Sequence, residues 1–350
     1  MANIPYTKEM ALELITKLFK DPEKYMVAQQ LTESYKDGGH KVTTELGWMK
    51  EETGKIPALL GFDLALSLPN YKEDEQKILA EEFIDYASKG GLVSFCAHFK
   101  SPTNPVPYNY RAEFGGDAEW DAIVTEGTEI NKFFKKDLCQ VADFIKILDD
   151  AGVPVLWRPL HEVNGSWFWF CIDKAKPRTA AEKIVALWKY IYKVFTEEYG
   201  MKNLIWVYSP NIGCNETCMY AYPGDDVVDV VALDWYSSGN YELGSEWGRN
   251  DYKAMTATGK PFALGEFGPA GDLVTNLDKS PEYKFNAVDA RDLYARLHKD
   301  GLSFAWVLLW SSWARVKISL WNMGGGDVLM NDPSVLDIEK VRAFFENGKI

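Results

Sequence analysis

The chain is poor in the residues on which several large protein classes depend. Four histidines in 350 residues make a triple-histidine zinc centre hard to assemble. Five cysteines (Cys96, Cys139, Cys171, Cys214 and Cys218) are too few for a disulfide scaffold and lack the paired Cys-x-x-Cys spacing of a structural zinc site. Only Cys214 and Cys218 stand close enough in sequence for a local loop disulfide; the alternative is free thiols throughout. Basic blocks are absent: 38 Lys and Arg oppose 51 Asp and Glu, for a net charge of −13. The cationic footprint that displaces counterions from nucleic acid is therefore missing. No apolar run approaches the roughly 20 residues that span a bilayer, and the first residues, Met1 to Pro5, show neither the basic nor the apolar stretch of a secretory leader. There is no Gly-x-Ser-x-Gly elbow and no Walker A loop. His161-Glu162 begins like a zincin motif, but Gly165 stands where the second metal histidine would be needed. Neither a metal nor a cofactor is implied.

What remains is an ordinary soluble composition, 47% hydrophobic and 25% charged, in which short β-rich runs alternate with helical patterns. The candidate strands are Tyr25–Gln30, Ile56–Asp63, Leu92–His98, Pro154–Pro159, Leu204–Ser209, Val228–Trp235, Phe262–Glu266 and Phe304–Trp310. Most are near-continuous apolar runs, the pattern of parallel strands covered on both faces. Helical periodicity lies between them, as in Glu73–Ser88, Ala180–Tyr199 and Asn286–Lys299. Alternating strands and helices form βαβ units, and eight of them point to closure into a barrel. A doubly wound sheet would want a Gly-rich phosphate turn after its first strand, and Gln29-Gln30-Leu31-Thr32 is not one. The expected fold class is α/β, a (β/α)8 TIM barrel. Its usual size of about 250 residues, with insertions to over 400, accommodates residues 1–350 as a single catalytic domain with a short N-terminal helical extension. The loop from Lys100 to Gly116, with Pro102, Pro105 and Pro107, follows the third strand and would wall a substrate groove. Trp188, Trp206 and Trp306 are expected in the core.

Barrel enzymes place their chemistry at the C-terminal ends of the strands. There the third strand ends in His98, the fourth runs into Arg158-Pro159-Leu160-His161-Glu162, the sixth into Asp234-Trp235-Tyr236, the seventh into Gly265-Glu266-Phe267-Gly268, and the eighth ends at Trp310. Buried polar groups are expensive unless paired, so their convergence on one rim is informative. Glu162 and Glu266, on strands from opposite sides of an eight-stranded barrel, can face each other across a sugar. Hydrolysis of a glycosidic bond needs one carboxylic acid to protonate the leaving oxygen and one carboxylate to attack or to activate water. Separations of about 5–5.5 Å go with retention of configuration and about 6.5–9.5 Å with inversion. The alternative for either glutamate is a structural ion pair, with Arg158 the obvious partner. Indole faces at Trp167 and Trp310 suit the apolar C–H face of a pyranose.

The segment Arg158-Pro159-Leu160-His161-Glu162-Val163-Asn164-Gly165-Ser166-Trp167-Phe168-Trp169 closely resembles the acid/base signature of glycoside hydrolase family 26. Ala263-Leu264-Gly265-Glu266-Phe267-Gly268 resembles the nucleophile segment of that family. The resemblance implies a retaining (β/α)8 enzyme acting mostly as an endo-β-1,4-mannanase, with Glu162 as acid/base and Glu266 as nucleophile. It further implies that His161 contacts the sugar and the nucleophile, that His98 lines the −1 subsite, that Tyr236 hydrogen-bonds the nucleophile and that Asp234 steadies the site. Arg158, Trp167 and Trp310 complete the expected substrate-binding set. One departure stands out: Ser311 and Ser312 follow Trp310, where the family often has an arginine that serves a negative subsite, and this bears on the endo or exo mode.

The expected partner is a polysaccharide or oligosaccharide, β-mannan, bound by a monomer that engages neither nucleic acid nor membrane. Polymeric mannan is extracellular, so a secreted protein whose leader is missing from this sequence is expected. Of the sequons at Asn164 and Asn215, only Asn215 is a plausible glycan acceptor, because Asn164 falls in the expected active site. The competing readings are a family relative acting on mixed-linkage glucan or β-1,3-xylan, one releasing mannobiose from chain ends, and a non-catalytic carbohydrate-binding barrel.

Overall fold

The structure, a computed structural model, describes residues 3–32, 40–103, 114–172, 177–213, 218–237, 246–269, 301–312 and 317–348. Eight parallel strands follow one another around a closed barrel: β1 (Tyr25–Gln30), β2 (Leu59–Asp63), β3 (Leu92–Cys96), β4 (Val155–Arg158), β5 (Leu204–Tyr208), β6 (Val230–Ser237), β7 (Phe262–Pro269) and β8 (Trp306–Leu309). Closure is made by β1, which pairs with β8 through Met26–Gln29 and with β2 through Ala28–Gln30. A two-residue strand β9 (Val335–Leu336) pairs with the first residues of β1, Tyr25 and Met26. The architecture is the (β/α)8 barrel expected from the alternation of apolar runs and helical patterns.

Where the strands differ from their expected limits, a local bonding reason is visible. The second strand begins at Leu59 rather than Ile56; Pro57 has no N–H to give a ladder and makes only an isolated antiparallel bridge to Asp337. The third ends at Cys96 rather than His98, because the His98 backbone N–H is taken by the Asp63 carboxylate at 3.1 Å. The sixth and seventh run on together to Ser237 and Pro269. The helix expected over Ala180–Tyr199 spans Pro177–Lys193 and continues as a wider-wound turn through Val194–Glu198. Asn286–Lys299, most of the Lys100–Gly116 loop, Cys214 and Asn215 lie outside the described residues. Cys218 is buried and carries a free thiol.

The outer layer is amphipathic helix. Lys8–Lys20, which precedes β1, starts at Thr7, whose hydroxyl accepts the Met10 N–H at 3.4 Å, and buries Ala11, Leu14, Ile15 and Leu18 on one stripe. Its approach is fixed by Tyr6, whose hydroxyl donates to the Gly91 carbonyl at 2.5 Å. Glu129–Asp150 is capped by Thr128 and buries Phe134, Leu138, Val141 and Ile145. Edge-to-face rings tie helix to barrel: Phe83 and Phe144 both meet Phe95 of β3, at 5.0 and 5.9 Å. Trp188, Trp206 and Trp306 are buried, as expected.

Two glycines give opposite expectations for stability. A Cβ on Gly91 would stand 2.2 to 2.7 Å from the ring of Tyr86, which is buried and held by its hydroxyl on the Pro57 carbonyl at 2.6 Å. A Cβ on Gly47, inside the helix Lys41–Thr53, meets nothing within 4 Å. In chemical denaturation Gly91→Ala should lose about 1–3 kcal/mol through overpacking. Gly47→Ala should gain about 0.5–1 kcal/mol by restricting the unfolded chain. A stable Gly91→Ala protein would mean that the ring can move aside.

Candidate active site

The polar residues that end the strands converge on one rim, and a buried arginine organises them. Arg158, the last residue of β4, is 2% exposed. Its Nη1 donates to Asp234 Oδ1 at 2.9 Å and to Ser209 Oγ at 3.0 Å, and its Nη2 donates to Glu266 Oε1 at 2.6 Å. Ser209 in turn donates to Asp234 Oδ1. Burial opposes the charge on Arg158, but Asp234 and Glu266 outweigh it and its hold on the proton is raised. One oxygen from each of Glu162, Asp234 and Glu266 lies within 4.8 Å of the others, and two of the three acids, Asp234 and Glu266, share the guanidinium.

Glu266 reaches this cluster through a bulge. Leu233 pairs with Leu264, but Asp234 pairs with Glu266, leaving Gly265 without an opposite number on β6. One extra residue inverts the alternation of side chains beyond it, so Glu266 points to the same side as Asp234. The bulged residue has to be glycine: a Cβ there would stand 2.3 Å from Ser209 Oγ, 2.5 Å from Asp234 Oδ1 and 3.0 Å from Arg158 Nη1. The second oxygen of Glu266, Oε2, accepts the Tyr236 hydroxyl at 2.8 Å.

Glu162 is built differently. The chain leaves β4 in a sharp turn, and Glu162 has φ 55°, the one non-glycine residue with positive φ among the described residues. A side chain in the left-handed region is strained, and such strain persists where surrounding bonds over-determine it. Here the Glu162 N–H donates to the Ser209 carbonyl at 2.7 Å, while its carbonyl accepts the Gly165 N–H at 2.9 Å and the Cys171 thiol at 3.3 Å. Its carboxyl accepts two N–H groups, Trp167 Nε1 at 2.5 Å on Oε2 and Asn211 Nδ2 at 2.7 Å on Oε1. Burial, reinforced by the charge of Glu266, outweighs these donors and pushes Glu162 up to about 7.

The histidines stand beside Glu266. His161 Nε2 is 3.9 Å from Glu266 Oε1 and 3.2 Å from His98 Nε2, and His98 Nδ1 is 2.5 Å from Asp63 Oδ2. Phe168 packs edge-on to His98 with centroids 4.9 Å apart. Half-buried Trp310 stands 6.2 Å from the His98 ring; its N–H donates to the Phe267 carbonyl at 2.9 Å and its carbonyl accepts from Gln29 at 3.3 Å. Of the serines after it, Ser312 makes local contacts. Its Oγ takes the Ile318 and Ser319 N–H groups at 3.0 Å and donates to Asn322 Oδ1 at 2.8 Å.

All nine residues singled out from the sequence thus meet at one end of the barrel. Arg158 and Asp234, expected to touch substrate, are buried, and their side-chain contacts are with each other, Ser209 and Glu266. Trp167, expected only as a platform, also bonds Glu162. Asp63, Ser209, Asn211 and Gln29 were not singled out. Asp63 and Gln29 were within reach of the same criterion, being polar residues at the ends of apolar strands. Asn211 lies beyond β5, where only the fold brings it to Glu162. Asn164 is also engaged: its side chain exchanges hydrogen bonds with the Asn211 backbone at 2.7 and 2.8 Å.

A family model described as Glycosyl hydrolase family 26 matches residues 7–292. The chain is 33% identical over 258 residues to the Mannan endo-1,4-beta-mannosidase A and B of Caldalkalibacillus mannanilyticus, covering 69% of this chain and 47% of that protein. To a Mannan endo-1,4-beta-mannosidase of Bacillus subtilis it is 32% identical over 237 residues, covering 66% of this chain and 63% of that one. The chain therefore spans from about half to just under two thirds of these relatives. Among solved structures, a Bacillus subtilis mannanase superposes with a TM-score of 0.72 at 24% identity, over 94% of this chain and 92% of that one, a likeness of fold.

The backbone at Glu162 supplies its own test. Glycine normally destabilises a site relative to alanine, but a left-handed conformation costs an L-residue roughly 1–2 kcal/mol. Glu162→Gly should therefore be more stable than Glu162→Ala by about 1 kcal/mol in denaturant melts. The usual order, with alanine ahead, would mean that position 162 relaxes out of this conformation once the side chain is gone.

Proposed function

The chain belongs to glycosyl hydrolase family 26, and on that premise we propose that it hydrolyses β-1,4-mannosidic bonds in mannan, glucomannan or galactomannan with retention of configuration. The observation that carries this reading is the pair Glu162 and Glu266, with oxygens within 4.8 Å and with unlike surroundings. Oxygens this close fit the shorter, retaining separation better than the longer, inverting one. The relatives named for mannan endo-1,4-beta-mannosidase activity supply the substrate class.

In this reading Glu162 is the acid. Raised to about 7, it keeps its proton up to near neutral pH, and the Trp167 and Asn211 N–H groups occupy lone pairs rather than the proton, leaving the O–H free for the glycosidic oxygen. Glu266 attacks the anomeric carbon; the C–O bond to the leaving sugar breaks as Glu162 gives up its proton, and a glycosyl ester forms. Water then attacks the same carbon, Glu162 takes a proton from it, and Glu266 is released. Arg158 supplies the counter-charge to Glu266 between turnovers, and the Tyr236 hydroxyl holds its second oxygen. Trp310 and Trp167 lie over sugar faces on either side of the cleavage point, and His98 and His161 border the sugar bound beside Glu266. We assign residues 1–350 to one catalytic barrel with an N-terminal helix, acting outside the cell as a monomer.

Mannan, glucomannan, lichenan and β-1,3-xylan assayed side by side test the substrate, and proton NMR of the first-formed anomer tests the stereochemistry. Activity confined to lichenan or xylan would overturn the mannan assignment, and inversion would overturn the mechanism. Glu266→Ala should abolish turnover, with azide or formate partly restoring it. Glu162→Ala should lose far more rate on substrates with poor leaving groups than on activated aryl glycosides.

The raised Glu162 sets a pH limb. The active form carries this proton, so kcat/KM should fall tenfold per pH unit above about 7. In Glu266→Gln the repulsion is removed, and the Glu162 carboxyl, followed by carbon-13 NMR, should titrate at lower pH. An unmoved titration would leave burial as the whole cause.

A further inference from the structure

Asp63, at the end of β2, lies against His98 rather than against the cleft. Its Oδ1 accepts the Leu66 N–H at 2.8 Å and caps the short turn Leu64–Ser67. Its Oδ2 is 2.5 Å from His98 Nδ1, 3.1 Å from the His98 backbone N–H and 3.4 Å from the Cys96 thiol. A carboxylate among donors only accepts, so the proton of that short contact sits on His98 Nδ1. His98 Nε2 then offers a lone pair, and it faces His161 Nε2 at 3.2 Å. Two ring nitrogens this close share one hydrogen, which belongs to His161 Nε2, 3.9 Å from Glu266 Oε1. His161 Nδ1 is enclosed and has no hydrogen-bond partner among the described residues, and an orphaned acceptor is tolerated better than an orphaned N–H. Burial above all holds His161 well below the usual imidazole range, consistent with one ring proton.

We infer that Asp63 is a positioning residue that fixes the tautomer of His98 and, through it, keeps the single ring proton of His161 on Nε2, the nitrogen beside Glu266. The opposite polarity would leave a lone pair on the nitrogen beside a carboxylate and bury an N–H with no acceptor among the described residues. In Asp63→Asn, keeping the amide oxygen on the Leu66 N–H presents an NH2 group to His98 Nδ1. The His98 proton moves to Nε2, and His161 must invert to its Nδ1–H form. The kinetic consequence rests on the reading of Glu266 as nucleophile; the tautomers do not.

Nitrogen-15 imidazole NMR of the full chain labelled at histidine is tractable because there are only four histidines. The wild type should show His98 protonated at Nδ1 and His161 at Nε2. Asp63→Asn should show both reversed, with kcat on mannan lowered roughly tenfold to a hundredfold and KM little changed. Wild-type His161 protonated at Nδ1 would overturn the inference, and this measurement stands even if the variant fails to fold. A variant that loses kcat while keeping wild-type tautomers would overturn it too, making Asp63 a turn cap alone. Wild-type tautomers as stated in a protein that leaves mannan uncut would support the inference and count against the glycosidase reading.

Discussion

A single buried guanidinium holds this site together. Arg158 is enclosed at the top of the barrel, where an unpaired charge could not stay, and its partners Asp234 and Glu266 come from β6 and β7, two and three strands further round the ring. Removing one member of a buried pair typically costs about 3–5 kcal/mol, because the survivor is left desolvated. The arrangement is therefore cooperative: β4, β6 and β7 must all be in place before any of the three charges is tolerable. Gly265 is the space that makes it sterically feasible, and the bulge at that residue is what points Glu266 inward.

Glu162 stands next to this charge cluster without joining it. It shares no cation; its contacts are two neutral N–H donors, an apolar surround and the repulsion of Glu266. Two carboxyls within reach of one sugar thus acquire different characters from their second neighbours. One is paired with arginine and tyrosine, the other is kept protonated toward neutrality. The division of labour proposed for glycoside cleavage follows from this asymmetry rather than from any difference between the side chains themselves. The left-handed backbone at Glu162 adds a positional element, since a relaxed conformation would swing the carboxyl away from Trp167 and Asn211.

Much of the architecture was legible because strand and helix periodicities are local. Continuous apolar runs such as Ile56–Asp63 and Leu204–Ser209 read as covered parallel strands, and the helical stripe of Glu73–Ser88 read as the crossover from the second strand to the third. The limits moved where a side chain intervened in the ladder, as at Pro57, which cannot donate, and at His98, whose N–H goes to Asp63. The site was legible for a related reason: polar residues ending apolar runs stand out, and in a barrel all strand ends meet.

By itself, then, the amino-acid order determined the fold class, the rim on which chemistry gathers and the two glutamates, because each is written in short-range pattern. Only the tertiary structure decided what each polar residue does there. It joined Arg158 to Asp234 and Glu266, gave Trp167 a hydrogen bond to Glu162, set Asp63 against His98, and brought in Ser209 and Asn211. Hydrogen-bond partners and desolvation depend on which groups lie across the barrel, and those groups are separated by tens to more than a hundred residues of chain, from Glu162–Asn211 to Arg158–Glu266. No local pattern carries that information, because the register shift at Gly265 and the strained turn at Glu162 arise only when the strands close on one another.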